Sequence, residues 1–313
     1  MDRRSSAPPM AGLLYGALGV LGFSLTLPAT REAVRSLDAT FVGLGRAVVA
    51  AALAAALLWA RRERPPARRY FPGLVIAALG VVVGFPLLSA QALRHLPASH
   101  AAVVTGLLPA ATAVMATLRG GERPSAAFWL AAAAGVGAVL LFAVAEGGGR
   151  PQAADLALLA AVVLGGLGYA EGGRLARELG GPRVICWALL LAAPFVAPPA
   201  AIAGLHHGFH ADGKAWLGFG YVSVVSMFLA FFAWYRGLAL GGIARVGQIQ
   251  LVQPVLTFAW AALLLGERID AKTVAAGAVV VGVAALGRRA SVRAPRLDVG
   301  GAPVSVPIAV AGE

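Results

Sequence analysis

The sequence predicts an all-α polytopic membrane protein with ten transmembrane helices arranged as a five-plus-five inverted repeat. Three observations support this prediction: the composition, the length of the apolar runs and an internal repeat. Of the 313 residues, 59% are hydrophobic and only 13% are charged, and the mean hydropathy is +0.80. A water-soluble domain carries about 25% charged residues, because its surface must be wetted. The composition therefore excludes a soluble globular protein.

The apolar runs are unbroken and rich in Ala, Leu, Val and Gly, which is typical of membrane helices. A barrel strand would instead alternate apolar and polar residues over about ten positions. Each helical crossing of a bilayer core needs about 20 residues. Runs of this length predict ten spans: Gly12–Ala29, Ala39–Ala60, Tyr70–Leu93, Ala98–Leu118, Ala126–Ala145, Ala154–Gly172, Arg183–Gly204, Ala215–Leu238, Ala244–Leu265 and Ala271–Gly287. Three prolines near the end of the seventh run, Pro194, Pro198 and Pro199, would kink or stop that helix.

The spans divide the chain into two five-helix units. We expect a cytoplasmic N-terminus at residues 1–11, a first repeat at 12–145 and an outside connecting loop at 146–153. The second repeat would occupy residues 154–289. The tail at 290–313 is polar and punctuated by Pro and Gly, so we expect it to be a disordered cytoplasmic segment.

The basic residues predict the orientation. They do not form a continuous patch, so we expect no nucleic-acid partner despite the net charge of +12. With the N-terminus in the cytoplasm, the inside segments hold roughly eighteen of the 26 Lys and Arg residues and the outside segments roughly seven. This bias places both termini inside. Nearly all the positive charge is arginine, and Ala and Gly are abundant, which indicates a GC-rich bacterium and therefore its inner (cytoplasmic) membrane.

The second half of the chain repeats the first. Leu107–Leu141 aligns without a gap on Val252–Leu286, at a constant offset of 145 residues (252 minus 107). Because each half holds an odd number of spans, the second copy must cross the membrane in the opposite orientation. Such inverted repeats are a transporter architecture, with the binding site at their interface. The most informative matches are Pro109 with Pro254, Thr112 with Thr257, and Gly121-Glu122-Arg123 with Gly266-Glu267-Arg268.

Ten spans, the repeat and the form Pro-x12-Glu in each half resemble the EamA-like branch of the drug/metabolite transporter superfamily. The most specific stretch, within Ala230–Arg268, reads FFAWYRGLALGGIARVGQIQLVQPVLTFAWAALLLGER. The first copy is a looser match, because TLRGGER carries Arg119 where the family pattern is apolar. The resemblance extends to about Arg289. It implies a small-metabolite carrier, often an exporter, driven by ion gradients or exchange. The sequence has no GxxxxGK[ST] phosphate loop that would indicate ATP as the energy source.

The substrate site is predicted from polar side chains at membrane depth. Gln250, Gln253 and Thr257 lie on one face of the ninth span. In the alignment of the two repeats, Thr105 matches Gln250 and Thr112 matches Thr257. We interpret this face as a cavity lining; the alternative is that it only hydrogen-bonds neighbouring helices. Two prolines, Pro109 and Pro254, interrupt these spans and would act as hinges or helix breaks.

Three further residues need weighing. Arg46 lies two turns inside the second span, where it could bind a substrate carboxylate or extend to the surface. Tyr169 is the aromatic residue that most favours a place in the lining. Glu171 could carry a coupling proton, although Arg174 three residues later offers a simple ion pair. Glu122 and Glu267 are interpreted as fold anchors. No metal ligand set is predicted, because the histidines of the 206–210 segment fit an ordinary solvated loop.

These features predict a secondary active transporter that moves a small organic metabolite by alternating access. An amino acid or related amphiphilic compound is the favoured substrate, and export the favoured direction. The alternatives are an efflux carrier for cationic drugs and a non-transporting membrane enzyme or scaffold. The sequence shows no clustered catalytic groups, so we expect neither an enzyme nor a cofactor. The expected partners are a small-molecule substrate, the lipid bilayer, a coupling proton or counter-substrate, and in one alternative a second copy of the chain in a homodimer.

Overall fold

A computed structural model of the chain describes residues 9–120, 126–148, 150 and 152–289. Within these ranges the chain contains helices and connecting turns and no β-strand. The predicted all-α fold is therefore confirmed. Glu122 and the tail from residue 290 lie outside the described residues, so the expectations for them stay predictions.

The described helices account for ten spans, which we number in chain order. Nine are long and apolar enough to cross a membrane: Met10–Ala33, Ala39–Ala60, Arg68–Leu93, Ala98–Leu118, Trp129–Glu146, Ala153–Leu179, Gly181–His207, Gly213–Gly241 and Gly247–Leu265. The tenth predicted span is the shorter apolar helix Ala271–Leu286. The predicted spans agree with these helices apart from differences at the ends, where sequence patterns are least informative.

Side-chain caps set several of the span ends. Asp38 accepts hydrogen bonds from the backbone N–H groups of Thr40 and Phe41 and begins span 2. Such bonds satisfy amide groups that the first helical turn leaves unpaired. Before span 10, the hydrogen bonds from Thr273 hold the pKa of the Asp270 carboxyl below its ordinary value. These two carboxylates therefore satisfy backbone N–H groups at the starts of spans 2 and 10.

Span 7 is present and passes through its three prolines. Pro194, Pro198 and Pro199 lie inside one helix, Gly181–His207, so of the two expectations for them, a kink or a stop, the stop is wrong. A helix end in lipid would expose four unpaired carbonyl groups, whereas an internal proline disturbs fewer backbone bonds. The continuous helix is therefore the less costly way to carry these prolines through the bilayer.

The two halves share their irregular positions. Spans 3 and 8 each contain a π-helical segment, Ala78–Gly84 and Tyr221–Leu229, and these overlap when the repeat offset is applied. Span 4 breaks at Gly106–Leu107, and span 9 begins with a 3-10 segment, Gly247–Val252, at the matching place. The π-helical turns, which are wider than those of an α-helix, frequently occur at functional sites. The repeat therefore preserves both the helices and their interruptions.

Helix packing follows the same symmetry. Span 1 packs along span 8 as span 6 packs along span 3, and span 4 packs on span 6 as span 9 packs on span 1. Spans 2 and 7, 4 and 9, and 5 and 10 pack on their own counterparts. Close approaches rely on glycine: a Cβ on Gly12 would stand 2.6 Å from the Gly241 Cα, and one on Gly80 2.7 Å from the Gly168 Cα. Small residues let membrane helices meet at backbone distance.

A hydrogen bond from span 9 stabilises a break in span 1. The first helix of span 1 ends at Ser24, and Pro28, four residues later, has no N–H to donate to the Ser24 carbonyl. The Thr257 hydroxyl donates to that carbonyl over 2.8 Å, and the Trp260 Nε1 donates to the Ser24 hydroxyl over 3.0 Å. Span 9 therefore replaces a donor that the sequence of span 1 removes.

The inverted topology can be tested at two corresponding loops. In a Cys186→Ser background, we expect His210→Cys, after span 7, to react with an impermeant maleimide added outside. Arg64→Cys, after span 2, should react only once the membrane is permeabilised. Both side chains are exposed. If both cysteines react from the same side, the inversion is contradicted. If Arg64→Cys reacts from outside and His210→Cys reacts only after permeabilisation, only the predicted orientation is contradicted.

The Thr257 bond predicts a difference between two matched threonines. Thr257→Val should lower the free energy of unfolding by about 1–2 kcal/mol, because it leaves a buried carbonyl without a donor. Thr112→Val, at the matching position of the first repeat, should change it by less than about 0.5 kcal/mol, since the Thr112 hydroxyl donates only within its own helix, to Leu108. Thermal unfolding in one detergent measures both. Equal losses would contradict the proposed role of Thr257.

Candidate functional site

A closed cavity lies between spans 1, 2, 3, 6, 8 and 9. It contains about 20 Å³ of space open to the centre of a water molecule, which is room for roughly one water. Six spans from both repeats meet here, as expected for a site at the interface of an inverted repeat. The lining consists of Phe23, Thr26, Leu27, Arg46, Val81, Phe85, Gly165, Tyr169, Ser226, Phe231 and Gln253.

Arg46 supplies the charge in this lining. Its side chain is 2% exposed, so it does not extend to the membrane surface. Nη2 donates to the Ser226 hydroxyl over 3.2 Å, and Ser226 shares a 2.8 Å hydrogen bond with Thr26. Nε and Nη1 are buried and have no hydrogen-bond partner among the described residues. A buried guanidinium with two free donors is costly unless an anion joins it.

Aromatic rings form one wall beside Arg46. The Phe23 and Tyr169 rings stack with centroids 5.9 Å apart, and Phe231 meets Phe23 edge-on at 4.9 Å. Trp234 lies behind Tyr169, with centroids 5.5 Å apart. Such pairs fix each other's orientation. Span 6 therefore places Tyr169 in the cavity as part of a rigid aromatic group.

The two glutamines of span 9 occupy different positions. Gln253 lines the cavity, and its Oε1 is buried without a hydrogen-bond partner among the described residues. Gln250 is 2% exposed, lies outside this lining, and has neither amide atom bonded within the described chain. In this conformation only Gln253 of the two reaches the cavity.

The three predicted threonines lie outside the cavity lining. The Thr105 hydroxyl donates to the Ala101 carbonyl over 2.9 Å, and the Thr112 hydroxyl donates to its own helix in the same way. Thr257 reaches across to span 1, as described above. In this conformation all three hydroxyls already have backbone acceptors. Their roles in substrate binding stay predictions.

The two predicted helix-break prolines each follow an irregular segment. Pro109 is the second residue of the helix Leu108–Gly120, and Pro254 is the second residue of Gln253–Leu265. The missing N–H costs little there, because first-turn amides have no partner within their helix. The prolines therefore lie at matching junctions where a helix resumes, and their role as hinges stays a prediction.

Glu171 lies apart from the cavity, near the end of span 6. It is 1% exposed and accepts a hydrogen bond from Arg174 Nη2 over 2.6 Å. Span 3 approaches closely, since a Cβ on Gly73 would stand 2.5 Å from Glu171 Oε1. This geometry favours the ion-pair interpretation. A role in proton coupling stays a prediction.

Sequence reasoning placed Arg46, Tyr169 and Gln253 among the site residues, and the structure brings them into one lining. It did not identify Thr26 and Ser226, which adjoin Arg46. Hydroxyl residues inside apolar spans were the available signal, but the sequence does not show which of them meet. A second omission is the buried pair His100 and Asp155, whose Nε2 and Oδ1 are 2.6 Å apart. Among the described residues no group of three or more His, Cys, Asp and Glu side chains could hold a metal.

Known proteins are similar to this sequence over nearly its whole length. The uncharacterized transporter YdeK of Bacillus subtilis (strain 168) is 46% identical over 278 residues, which cover 89% of this chain and 97% of the relative. A probable terminal-alkyne amino-acid exporter of Streptantibioticus cattleyicolor is 26% identical over 281 residues, covering 87% of this chain and 92% of the relative. A solved crystal structure at 22% identity superposes with a TM-score of 0.59 over 88% of this chain and 96% of its own. That likeness supports the fold alone.

The family comparison also matches the internal repeat. The model of the EamA-like transporter family matches the chain twice, at residues 10–144 and 152–287. The two matches cover both five-helix units. The second match includes the span 9 sequence on which the predicted family resemblance rests. The chain therefore belongs to the EamA-like transporter family.

Proposed function

We propose that this protein is a secondary active transporter for a small zwitterionic metabolite, an amino acid with an apolar side chain. One observation carries the proposal. The same closed cavity holds two free donors on Arg46 and a free acceptor on Gln253. A carboxylate fits the donors, bidentately where the geometry allows, and an ammonium group fits the acceptor. The rings of Phe23, Phe85 and Phe231 suit an apolar side chain.

Alternating access explains why the cavity is closed. Its volume of about 20 Å³ is too small for an amino acid, since a single water needs roughly that space. The lining must therefore widen when substrate enters. Spans 3, 4, 8 and 9 carry matching interruptions, at which the halves can bend. The inverted repeat supplies an outward-open and an inward-open arrangement from the same packing rules.

Export of an amino acid is the favoured direction. The name of one relative, a probable terminal-alkyne amino-acid exporter, concerns that protein, but its similarity over most of the chain supports the same substrate class here. Efflux of cationic drugs is disfavoured, because the lining contains the cation Arg46 and no acidic side chain among the described residues. If the protein were a membrane enzyme or a scaffold, that function would not account for the two unpaired donors of Arg46.

The remaining assignments follow the sequence. We propose that the protein lies in the inner membrane of a bacterium with both termini in the cytoplasm, and that residues 12–145 and 154–289 are its two moving units. A proton or a counter-substrate would supply the energy, with Glu171 as the sequence-based candidate for the proton. Homodimer formation is compatible with lipid-exposed apolar faces, such as that of Trp59, which is 84% exposed.

Replacing Arg46 tests the carboxylate contact. In proteoliposomes, L-leucine should compete with tritiated L-leucine at least tenfold better than leucinamide, which lacks the carboxylate. Arg46→Gln should abolish this preference, because a hydrogen bond to a charged group contributes about 1.5–3 kcal/mol. Arg35→Gln is the control, since Arg35 is exposed and pairs with Glu32. An unchanged preference for leucine in Arg46→Gln would refute the contact.

Replacing glutamines tests the acceptor. Gln253→Leu should weaken L-leucine binding roughly 5- to 150-fold, because an ammonium N–H loses its partner at a cost of about 1–3 kcal/mol. Gln91→Leu is the matched control: Gln91 bonds Thr40 of span 2 over 2.9 Å, so its loss should lower stability and leave affinity unchanged. Normal affinity in Gln253→Leu would exclude the acceptor role.

Gln250→Leu examines the other predicted glutamine. Gln250 lies outside the closed cavity, so it can reach substrate only after span 9 moves. A weaker apparent affinity together with unchanged thermal stability would support that contact. Normal affinity with raised stability would show that Gln250 is only an unpaired buried amide.

A further inference from the structure

A buried histidine–aspartate pair joins the two halves of the protein away from the central cavity. His100 lies in the first helical segment of span 4 and Asp155 in the first turn of span 6. The His100 Nε2 and the Asp155 Oδ1 are 2.6 Å apart. His100 is 5% exposed and Asp155 1% exposed. Two ionisable groups are therefore held in direct contact and out of water.

The pair is built into three spans. The second oxygen of Asp155, Oδ2, accepts a hydrogen bond from the Gln152 N–H over 2.9 Å and closes a capping box at the start of span 6. The His100 ring lies against Phe142 of span 5, with centroids 4.7 Å apart. Spans 4 and 5 end the first repeat, and span 6 begins the second. The pair thus lies at a contact between the two repeats, which the proposed alternating access would move relative to each other.

Burial gives this pair a reason to bind a proton. With a neutral imidazole, the pair carries one net negative charge in an apolar environment, which is costly. Adding one proton to the imidazole gives an imidazolium–carboxylate pair with no net charge. Opening this junction to water would remove the penalty and allow the proton to leave. Binding and release require one N–H bond to form and break, and no other reactant.

Other charged groups surround this end of span 4. Glu267 accepts hydrogen bonds from the Ala98 and Ser99 N–H groups, directly before His100. This bond anchors the loop after span 9 to the start of span 4. Other ionisable side chains on the elements that pack here include Arg31 and Glu32 at the end of span 1, Arg94 and His95 after span 3, Glu146 at the end of span 5, Tyr169, Glu171, Arg174, Arg177 and Glu178 farther along span 6, and Lys272 at the start of span 10.

Glu171 is less suited to carry the proton. Its partner Arg174 is 2.6 Å away and is always charged in proteins. That pair already has no net charge, so a proton would create a charge instead of removing one. The His100–Asp155 pair differs because neither of its members is a permanently charged group such as arginine.

We propose that His100 and Asp155 form a proton-binding site that couples proton movement to transport. The coupling rests on the transport function proposed above, whereas proton binding by the pair does not. The Asp155 carboxylate holds the proton on the imidazole, and the proton leaves when spans 4 and 6 separate.

Nuclear magnetic resonance of ¹⁵N-histidine protein in lipid vesicles tests proton binding without substrate. The His100 signals are assigned by their loss in His100→Gln. At pH 7 we expect both ring nitrogens of His100 to carry a proton in the wild type and only one in Asp155→Asn. The asparagine keeps an oxygen to cap span 6. If it does not fold, Asp155→Ser replaces it, because serine keeps an oxygen that can cap the helix and lacks the carboxylate. The same protonation state in the wild type and the variant would overturn the proposal.

Proteoliposomes test the coupling. With a gradient of one pH unit and no membrane potential, coupling to one proton gives up to about tenfold accumulation of tritiated L-leucine. The double variant His100→Gln/Asp155→Asn keeps an amide hydrogen bond and cannot bind the proton. We expect it to exchange leucine within about threefold of the wild-type rate and to accumulate none. If the double variant does not fold, His100→Gln alone replaces it.

A surface control completes the design. His207→Gln should keep full accumulation, because His207 is largely exposed and stands 3.7 Å from Asp38 in a surface pair. Retained accumulation in the double variant, or a wild type that exchanges leucine without gradient-driven accumulation, would overturn the coupling. A wild type that exchanges no leucine refutes the proposed substrate instead and leaves the resonance result standing.

Discussion

Backbone hydrogen bonding in an apolar environment is the constraint on which the rest of the structure depends. A transporter needs interrupted helices in order to bend, yet lipid offers no water to satisfy the freed groups. Each interruption must therefore find a partner in another helix. The break of span 1 does so through Thr257, which donates to the Ser24 carbonyl that Pro28 cannot serve. Tyr235 donates to the Gly168 carbonyl over 3.1 Å, although span 6 is a continuous helix there, so this bond ties span 8 to an intact helix. The Thr257 bond couples the break of span 1 to span 9, so bending at that break would affect span 9.

Buried charge obeys a different rule in the two polar sites. Arg46 faces a cavity and has two donor atoms without a partner among the described residues, so the described side chains do not compensate its desolvation. His100 and Asp155 instead contact each other, and in the proposed site a proton would remove the net charge of the pair. The first arrangement favours recognition of a ligand, because an incomplete site gains most from binding. The second favours sensitivity to conformation, because its cost changes when water reaches the pair.

The number of spans could be predicted from the sequence because each span is a continuous apolar run. The repeat and the family could be predicted because both follow from comparing stretches of sequence, without any knowledge of which helices are in contact. Arg46 was identified because a charge at that depth is rare and costly. The sequence left two alternatives for it: burial in the cavity contradicts extension to the surface, and ligand binding stays a proposal. The partner of His100 could not be predicted, because it depends on how spans 4 and 6 rotate against each other. Glycine contacts between span backbones set such rotations, and a single sequence does not specify which glycines meet.

The symmetry of the fold and the asymmetry of its side chains have separate consequences. The repeat relates the packing of the two halves, so outward-open and inward-open arrangements can have similar free energies. The polar groups are not repeated: Gln253 aligns with Leu108, and span 7, the counterpart of span 2, has no charged residue between Val184 and Leu205. A ligand shifts an equilibrium only by its different affinities for the two states. The direction of transport must therefore come from the unrepeated side chains and from the gradients acting on them, because the symmetric backbone favours neither direction.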